Sequence, residues 1–583
     1  MVRNRLHSLA LIVALITACG APPATPSPIA PGVIINLNSA GKRLPPDAAP
    51  NEQQVITWPS GSTPGSRFMD VMAMSYNTAM GSGLFSIPLT RVNKDYEIIP
   101  GAASSWSASP DGKTWTFKLR ADLNWSDGTP VTADDWIASF RHIADKQTGY
   151  DFGWYFDEMA IKNFAEAEAG SARLEDIGMR AGASPKDLVI ETTRPIPYMP
   201  SLVIYAAPLQ KRALEKYGAT YNSDPKTSVS DGPFVLEEWS EKRVVVRANK
   251  TQPDDLKPYL DRVIFTGGTG NTMLFDYQAG VLDFAIAQGA ADVKVIFSDP
   301  KLSPDAATNI NDFQTYYFFF DNSKPPFDNV KVRQAFAHLF DRETIVRKVL
   351  PPPAAIPLSG MLAPGFPSSN QEALKPLQAY DPALAKKLYA ESGVTIAAPL
   401  ILQIRMRGAQ NEAMVVMAQV YADELMKQLG VQVEVRRSDE NVFMEALNAK
   451  PTEIQFGMAA YGMDFLDPIN MLSVFKTGGR HNWNSAAYTG LLAQAGPEQD
   501  KSKRDLLFKD AERLLVTEAP AVFAFQEFYI ELWRPFLAGP NMRPGRVNKA
   551  RGLGFLGNTA LAAGLYDTYV TQEVTKTRPV PPK

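Results

Sequence analysis

The chain has 583 residues, 45% of them apolar and 21% charged, with a formal net charge of −3. That length exceeds a single hydrophobic core and that composition is globular, so two or three lobes are expected and a disordered chain is not. No basic stripe marks a nucleic-acid surface, and a single cysteine leaves neither a disulfide framework nor a thiolate metal site.

The N-terminus carries an address. Arg3 and Arg5 precede a short apolar run, Leu9 to Ile16, and small residues lead into Cys19. This is the form of a secretion signal, too short to span a bilayer, and its ending resembles a lipobox that leaves a lipid-modified Cys19 at the new N-terminus. Acylation would tether an exported domain to a membrane surface. The Pro-rich stretch from Ala21 to Pro31 extends rather than packs, holding the folded part away from the lipid.

The folded body starts near Val33. Val55–Trp58 reads as a strand. Asp111-Gly112 turns the chain into an alternating strand, Thr114–Arg120, and Ser126-Asp-Gly128 turns it again. Thr132 with Asp135 at the third helical position predicts a capping box and a helix through His142. Leu188–Thr192 is a further strand. Phe234–Trp239 is expected to pair with Arg243–Arg247.

Tyr316–Phe320 is a nearly continuous apolar run, as a buried central strand requires, and Pro325-Pro326 stops it. Helical spacing from Val330 to Phe340 is followed by a second helix opening at Asp341. Leu400–Arg405, Glu412–Leu429 and Val431–Val435 have the order of a βαβ unit. Ala521–Phe525 reads as the last strand. Near the end of this pattern Asp464 lies between Met463 and Phe465, shortly before a turn at Asp467-Pro468. An ionised carboxylate in apolar company needs a cation or hydrogen bonds. It either caps a turn or pairs internally, or it waits for an ammonium group on a ligand.

Five stretches occur in one order: Gly101–Trp106 with Trp125–Thr132, Ser230–Phe234 with Glu238-Trp239, Lys324–Phe336 with Asp341–Ile345, Tyr380–Leu388, and Gly462–Pro468. Together they resemble the extracellular solute-binding proteins, family 5, which serve oligopeptide- and dipeptide-importing ABC transporters, and most closely the oligopeptide subgroup. The resemblance implies an α/β fold of the periplasmic-binding-protein type II kind, with two hinged lobes plus an extra domain. Expected boundaries are 1–19 for the signal peptide and 20–32 for the tether. Lobe I is discontinuous, 33–81 with 204–315 and 526–583; the extra domain is 82–203 and lobe III is 316–525.

The resemblance also implies a site. The acidic residue matched by Asp464 receives a peptide's N-terminal ammonium, and the backbone of Ala459, Ala460 and Tyr461, with Gly462 and Met463 beside it, pairs with an extended peptide. Met69, Asp70 and Val71 match the opposite side. Tyr155, Tyr316, Tyr317, Phe525 and Phe528 are candidate pocket walls, although aromatics on strands commonly pack in a core. Relatives that clamp short-peptide carboxylates carry an Arg in the strand before the acidic motif. Here Met458 stands near that place, with Lys450, Arg405 and Arg407 as possible substitutes.

The expected function is therefore the binding component of an ABC importer: a peptide ligand, the permease's transmembrane subunits and a membrane as partners, no cofactor, and a monomer outside the cytoplasm. Another cargo (a cell-wall peptide, a sugar or an opine) is the alternative within that class. A serine peptide hydrolase is the alternative outside it, since Ser223 to Lys226 and Lys476-Thr-Gly478 match two β-lactamase-like elements. The third element is missing. Gly552 to Gly557 fits a dinucleotide-loop pattern without the strand before it, and His142, His338 and His481 are too scattered for a metal site.

Overall fold

The structure, a computed structural model, describes residues 36–60, 83–150, 152–221, 224–240, 242–267, 272–406, 411–547, 549–552, 565, 567–578 and 580–582. Cys19, the tether, Met69–Val71, Ser223 and Arg407 lie outside the described residues.

Two four-stranded sheets follow from the turn and alternation patterns. In one, Phe234–Trp239 pairs antiparallel with Val244–Ala248, as the sequence suggests. Arg262–Thr266 continues that sheet, and Val55–Pro59 joins it in parallel. In the other, Ala103–Ala108, Thr114–Leu119, Asp187–Glu191 and Met179–Ala181 lie side by side. The helix Ala133–Ala144 packs near it and opens on the predicted cap. The Thr132 N–H donates to Asp135 Oδ2 at 2.9 Å. The same carboxylate accepts from Trp125 Nε1 (3.2 Å) and, through Oδ1, from the Lys211 N–H (2.9 Å), so one cap joins three segments.

A seven-stranded sheet carries the rest. Its strands are Phe284–Ile286 (β1), Ala306–Phe320 (β2), Ala355–Pro357 (β3), Leu400–Met406 (β4), Val433–Asp439 (β5), Phe456–Tyr461 (β6) and Ala521–Trp533 (β7). Across the sheet the order is β1-β7-β2-β6-β4-β5, with β3 beside β7. β4, the helix Glu412–Leu429 and β5 form the predicted parallel βαβ unit, β5 starting at Val433 rather than Val431.

β2 and β7 are far longer than their apolar runs suggest, 15 and 13 residues. They pair antiparallel, with register shifts between Ile310 and Thr315 and between Tyr316 and Tyr317. Within the first shift Asp312 (φ 31°) and Phe313 (φ 53°) adopt positive φ, a bulge that re-aims both side chains. The expected lobe boundaries at 315/316 and 525/526 fall inside these two strands.

Buried apolar side chains gather in several cores. One runs from Ile87 through the 103–221 segment to Leu358, Phe465 and Phe523. A second holds Phe318, Phe320, Phe336, Tyr421 and Phe456; a third holds Trp58, Phe234, Phe265 and Trp533. No helix among the described residues is long and apolar enough to cross a membrane, and no grouping of three or more His, Cys, Asp or Glu among them could hold a metal ion.

Candidate functional site

β6 is paired on one side along its whole length, from Phe456 opposite Phe320 to Tyr461 opposite Thr315. On the other side β4 accompanies it only as far as Met458 and then follows β5 to Met406. Among the described strands, none pairs with Ala459–Tyr461 on that edge. The unpaired stretch ends where the acidic loop begins.

That loop is held from both ends. Asp467 caps the short helix Pro468–Leu472, accepting from the Ile469 N–H at 3.1 Å. Its carboxylate also takes both Arg504 guanidinium nitrogens, at 2.6 and 2.8 Å, in a largely buried bidentate pair. At the other end Phe465 stacks on Tyr198 (5.6 Å) and meets Tyr155 edge-on (6.0 Å).

Asp464 stands between these anchors. Asn470, carried by the capped helix, accepts the Asp464 N–H at 2.8 Å and returns Nδ2 to Asp464 Oδ2 at 3.1 Å. The Tyr461 hydroxyl donates to the same oxygen at 2.6 Å. Oδ1 makes no hydrogen bond to a described residue, and no described Lys, Arg or His forms an ion pair with the carboxylate. Burial raises its pKa; the hydrogen bonds from Tyr461 and Asn470 and the Arg480 charge pull it back. One oxygen is thus positioned by two hydrogen bonds and the other has none from the described residues.

Two more carboxylates share this field. Asp312, on the β2 bulge, has a buried Oδ1 without a partner, and its carboxyl lies against Gly462. Burial, then the charges of Asp464 and Glu527, push its pKa up to about 8. Glu527, on β7, accepts from the Tyr316 hydroxyl at 2.7 Å, and burial raises its pKa as well.

A Cβ on Gly462 would collide with the Asp312 carboxyl. Gly462→Ala is therefore expected to destabilise the fold by about 1–3 kcal/mol, the usual range for overpacking. Thermal denaturation beside wild type measures it, and an unchanged melting temperature would contradict the packing.

The remaining sequence candidates separate. Tyr155 is fully buried, its hydroxyl donating to the Leu202 carbonyl at 2.8 Å. Tyr317 is buried, its hydroxyl 3.1 Å from His481 Nε2. Burial, then the Arg480 charge, lowers the His481 pKa to about 3, so that ring is neutral. Tyr316 stacks on the buried Phe525 at 4.4 Å. Phe528, with Ile310, Ile356 and Gln526, lines a cavity of about 420 Å³. Gln526 is buried and its Nε2 has no partner. Of the possible cation substitutes, Arg405 stands on β4 just where β4 leaves β6, its Nη1 3.3 Å from Met444 Sδ. Lys450 lines a second cavity of about 430 Å³ with Tyr461, Phe465, Asn470 and Arg480.

Asp312, Glu527, Asn470 and Arg480 escape a reading of the sequence. Asn470 follows the cap by three residues and is legible only once the short helix is seen. The others reach the site from distant segments.

Residues 97–483 match the profile of the bacterial extracellular solute-binding proteins, family 5 (middle). The oligopeptide-binding protein OppA of Bacillus subtilis is 30% identical over 464 residues, 76% of this chain and 82% of that one. The probable deoxycholate-binding periplasmic protein YgiS of Escherichia coli is 26% identical over 521 residues, 87% and 95% of the two chains. The solved structure of the Escherichia coli murein tripeptide binding protein MppA superposes with a TM-score of 0.68 at 24% identity, covering 90% of this chain and 100% of that one, and shows the same fold. A family match over residues 97–483, on a fold shared over 90% of the chain, places this protein in family 5 of the bacterial extracellular solute-binding proteins.

Proposed function

We propose that this chain is the substrate-binding component of an ABC importer, capturing extracytoplasmic oligopeptides and handing them to the membrane permease, with no catalysis of its own. The observation that carries this reading is Asp464: a desolvated carboxylate with one oxygen unbonded and no described cation paired to it, beside an unpaired strand edge. An ammonium group satisfies the carboxylate with charge-assisted hydrogen bonds. An extended peptide leaving that point satisfies the edge of Ala459–Tyr461 by β-augmentation, which is blind to side-chain identity. Relatives named for oligopeptide and dipeptide binding support the cargo class.

In this reading the lobes 33–81 with 204–315 and 526–583, and 316–525, close on the peptide about β2 and β7, the extra domain 82–203 flanking the site. The bulge at Asp312 and Phe313 gives β2 a place to bend. Closure is a ligand-biased equilibrium between two states, and the permease recognises the closed one. Lipidation at Cys19 and the tether keep the chain beside its permease as a monomer, and neither cofactor nor metal takes part.

A thermal-shift screen of short peptides and their N-acetylated forms tests the reading. A ligand at a hundred times its dissociation constant adds about 2.7 kcal/mol of stability. Free peptides are expected to stabilise the protein and acetylated ones not. Stabilisation by both keeps the peptide and discards the Asp464 anchor; stabilisation by neither moves the reading to another cargo.

A further inference from the structure

Beside Asp464 lies the cavity of about 430 Å³, and its charges are unbalanced. Lys450, Lys476 and Arg480 line it. None of the three has a side-chain hydrogen bond or ion pair with a described residue. The one acidic residue in the lining, Glu158, already faces Arg194 at 3.9 Å. The Arg480 guanidinium sits over the Tyr461 ring, 5.2 Å from its centroid, and the hydroxyl of that ring donates to Asp464 at 2.6 Å. One tyrosine therefore stands between the Asp464 carboxylate and the Arg480 guanidinium, which feel each other's charge without forming a direct ion pair. Asn448, Asn470 and Ser473 also line the cavity.

Resting on the peptide reading, we infer that this cavity is an anion subsite: it takes a carboxylate carried within the first two residues of a ligand whose ammonium sits at Asp464. Two extended residues span about 7 Å, a reach suited to an ammonium near the Tyr461 hydroxyl and a carboxylate near the guanidinium over its ring. A guanidinium held over an aromatic ring keeps its planar fork of donors, which can meet a carboxylate in two-pronged fashion. Lys450 and Lys476 add point charges at the rim, which attract anionic ligands before contact is made.

The carboxylate has two possible sources, the side chain of an acidic first or second residue or the C-terminus of a dipeptide. Calorimetry on the full chain separates them, using Ala-Glu-Ala-Ala-Ala against Ala-Gln-Ala-Ala-Ala and Ala-Ala against its C-terminal amide. The acidic member of at least one pair is expected to bind roughly tenfold tighter, the factor that about 1.4 kcal/mol carries. Arg480→Gln should bring that ratio close to one and Arg480→Lys should keep part of it. Lys450→Gln, at an exposed position, should lower it without disturbing the Arg480–Tyr461 contact. A preference in the first pair alone assigns a side-chain subsite; in the second alone, a C-terminal one. Equal affinities within both pairs, with the pentapeptides still bound, overturn the subsite and leave the peptide reading standing. Failure of every peptide to bind overturns both.

Discussion

Asp464→Asn is expected to weaken binding of a free-amine peptide by about 2–5 kcal/mol, the range for truncating one partner of a buried charge pair. The substitution preserves shape. An asparagine oxygen can still accept from Tyr461 and Asn470, which hold Asp464 Oδ2 at 2.6 and 3.1 Å, so the loop between Phe465 and the Asp467–Arg504 pair should keep its course. What is lost is the negative charge facing the ammonium. An N-acetylated peptide carries no such charge and should bind wild type and variant equally weakly, which isolates the charge from any general effect on the cleft. Calorimetry with both ligands on both proteins gives the answer. Equal affinity of wild type and variant for the free peptide would remove the ammonium role.

The fold was more legible than the site, and for a physical reason. Local chemistry announced the cap at Thr132, the paired strands Phe234–Trp239 and Val244–Ala248, and the βαβ unit around Glu412–Leu429, because the residues that specify each are neighbours in sequence. β2 was legible only in its apolar half. Asp312 and Gln314 break the alternation before Thr315 because the strand bulges there and its side chains change direction. Asp464 could be singled out as a carboxylate without apolar justification, and its ordered motif carried the family resemblance. Its surroundings could not be seen. Arg480 comes from beyond a Gly-Gly turn, Asp312 from a bulge more than a hundred residues earlier and Glu527 from the last long strand. No periodicity links such positions. The aromatics illustrate the opposite case: Tyr155, Tyr317 and Phe525 looked like pocket walls by type, yet in this structure each is enclosed by other side chains.

Asp312 makes the site's electrostatics measurable through stability. Its carboxyl titrates near 3.9 in an unfolded chain and is raised to about 8 in the fold by burial and by the charges of Asp464 and Glu527. Between these values the folded state holds a proton that the unfolded state has released. Stability therefore falls as pH rises, by up to about 1.4 kcal/mol per pH unit for one such group, and the penalty is complete only above pH 8. Glu512, raised by burial to about 8 and bonded to the Leu362 N–H at 2.8 Å, adds a slope of the same sign. The groups acting on Asp312 are Asp464 beyond β6 and Glu527 on β7, while on its own element the next residue, Phe313, packs on the Tyr96 ring at 4.5 Å. Asp312→Asn should melt higher than wild type at pH 8, with the gap closing towards pH 5; Glu512→Gln should retain the Asp312 share of the slope. Parallel wild-type and Asp312→Asn curves from pH 5 to 9 would mean that Asp312 does not carry a proton in the fold. If the gap opens as expected, a bound ammonium at Asp464 should narrow it, because a cation there favours the ionised form of Asp312 and reduces what the asparagine relieves.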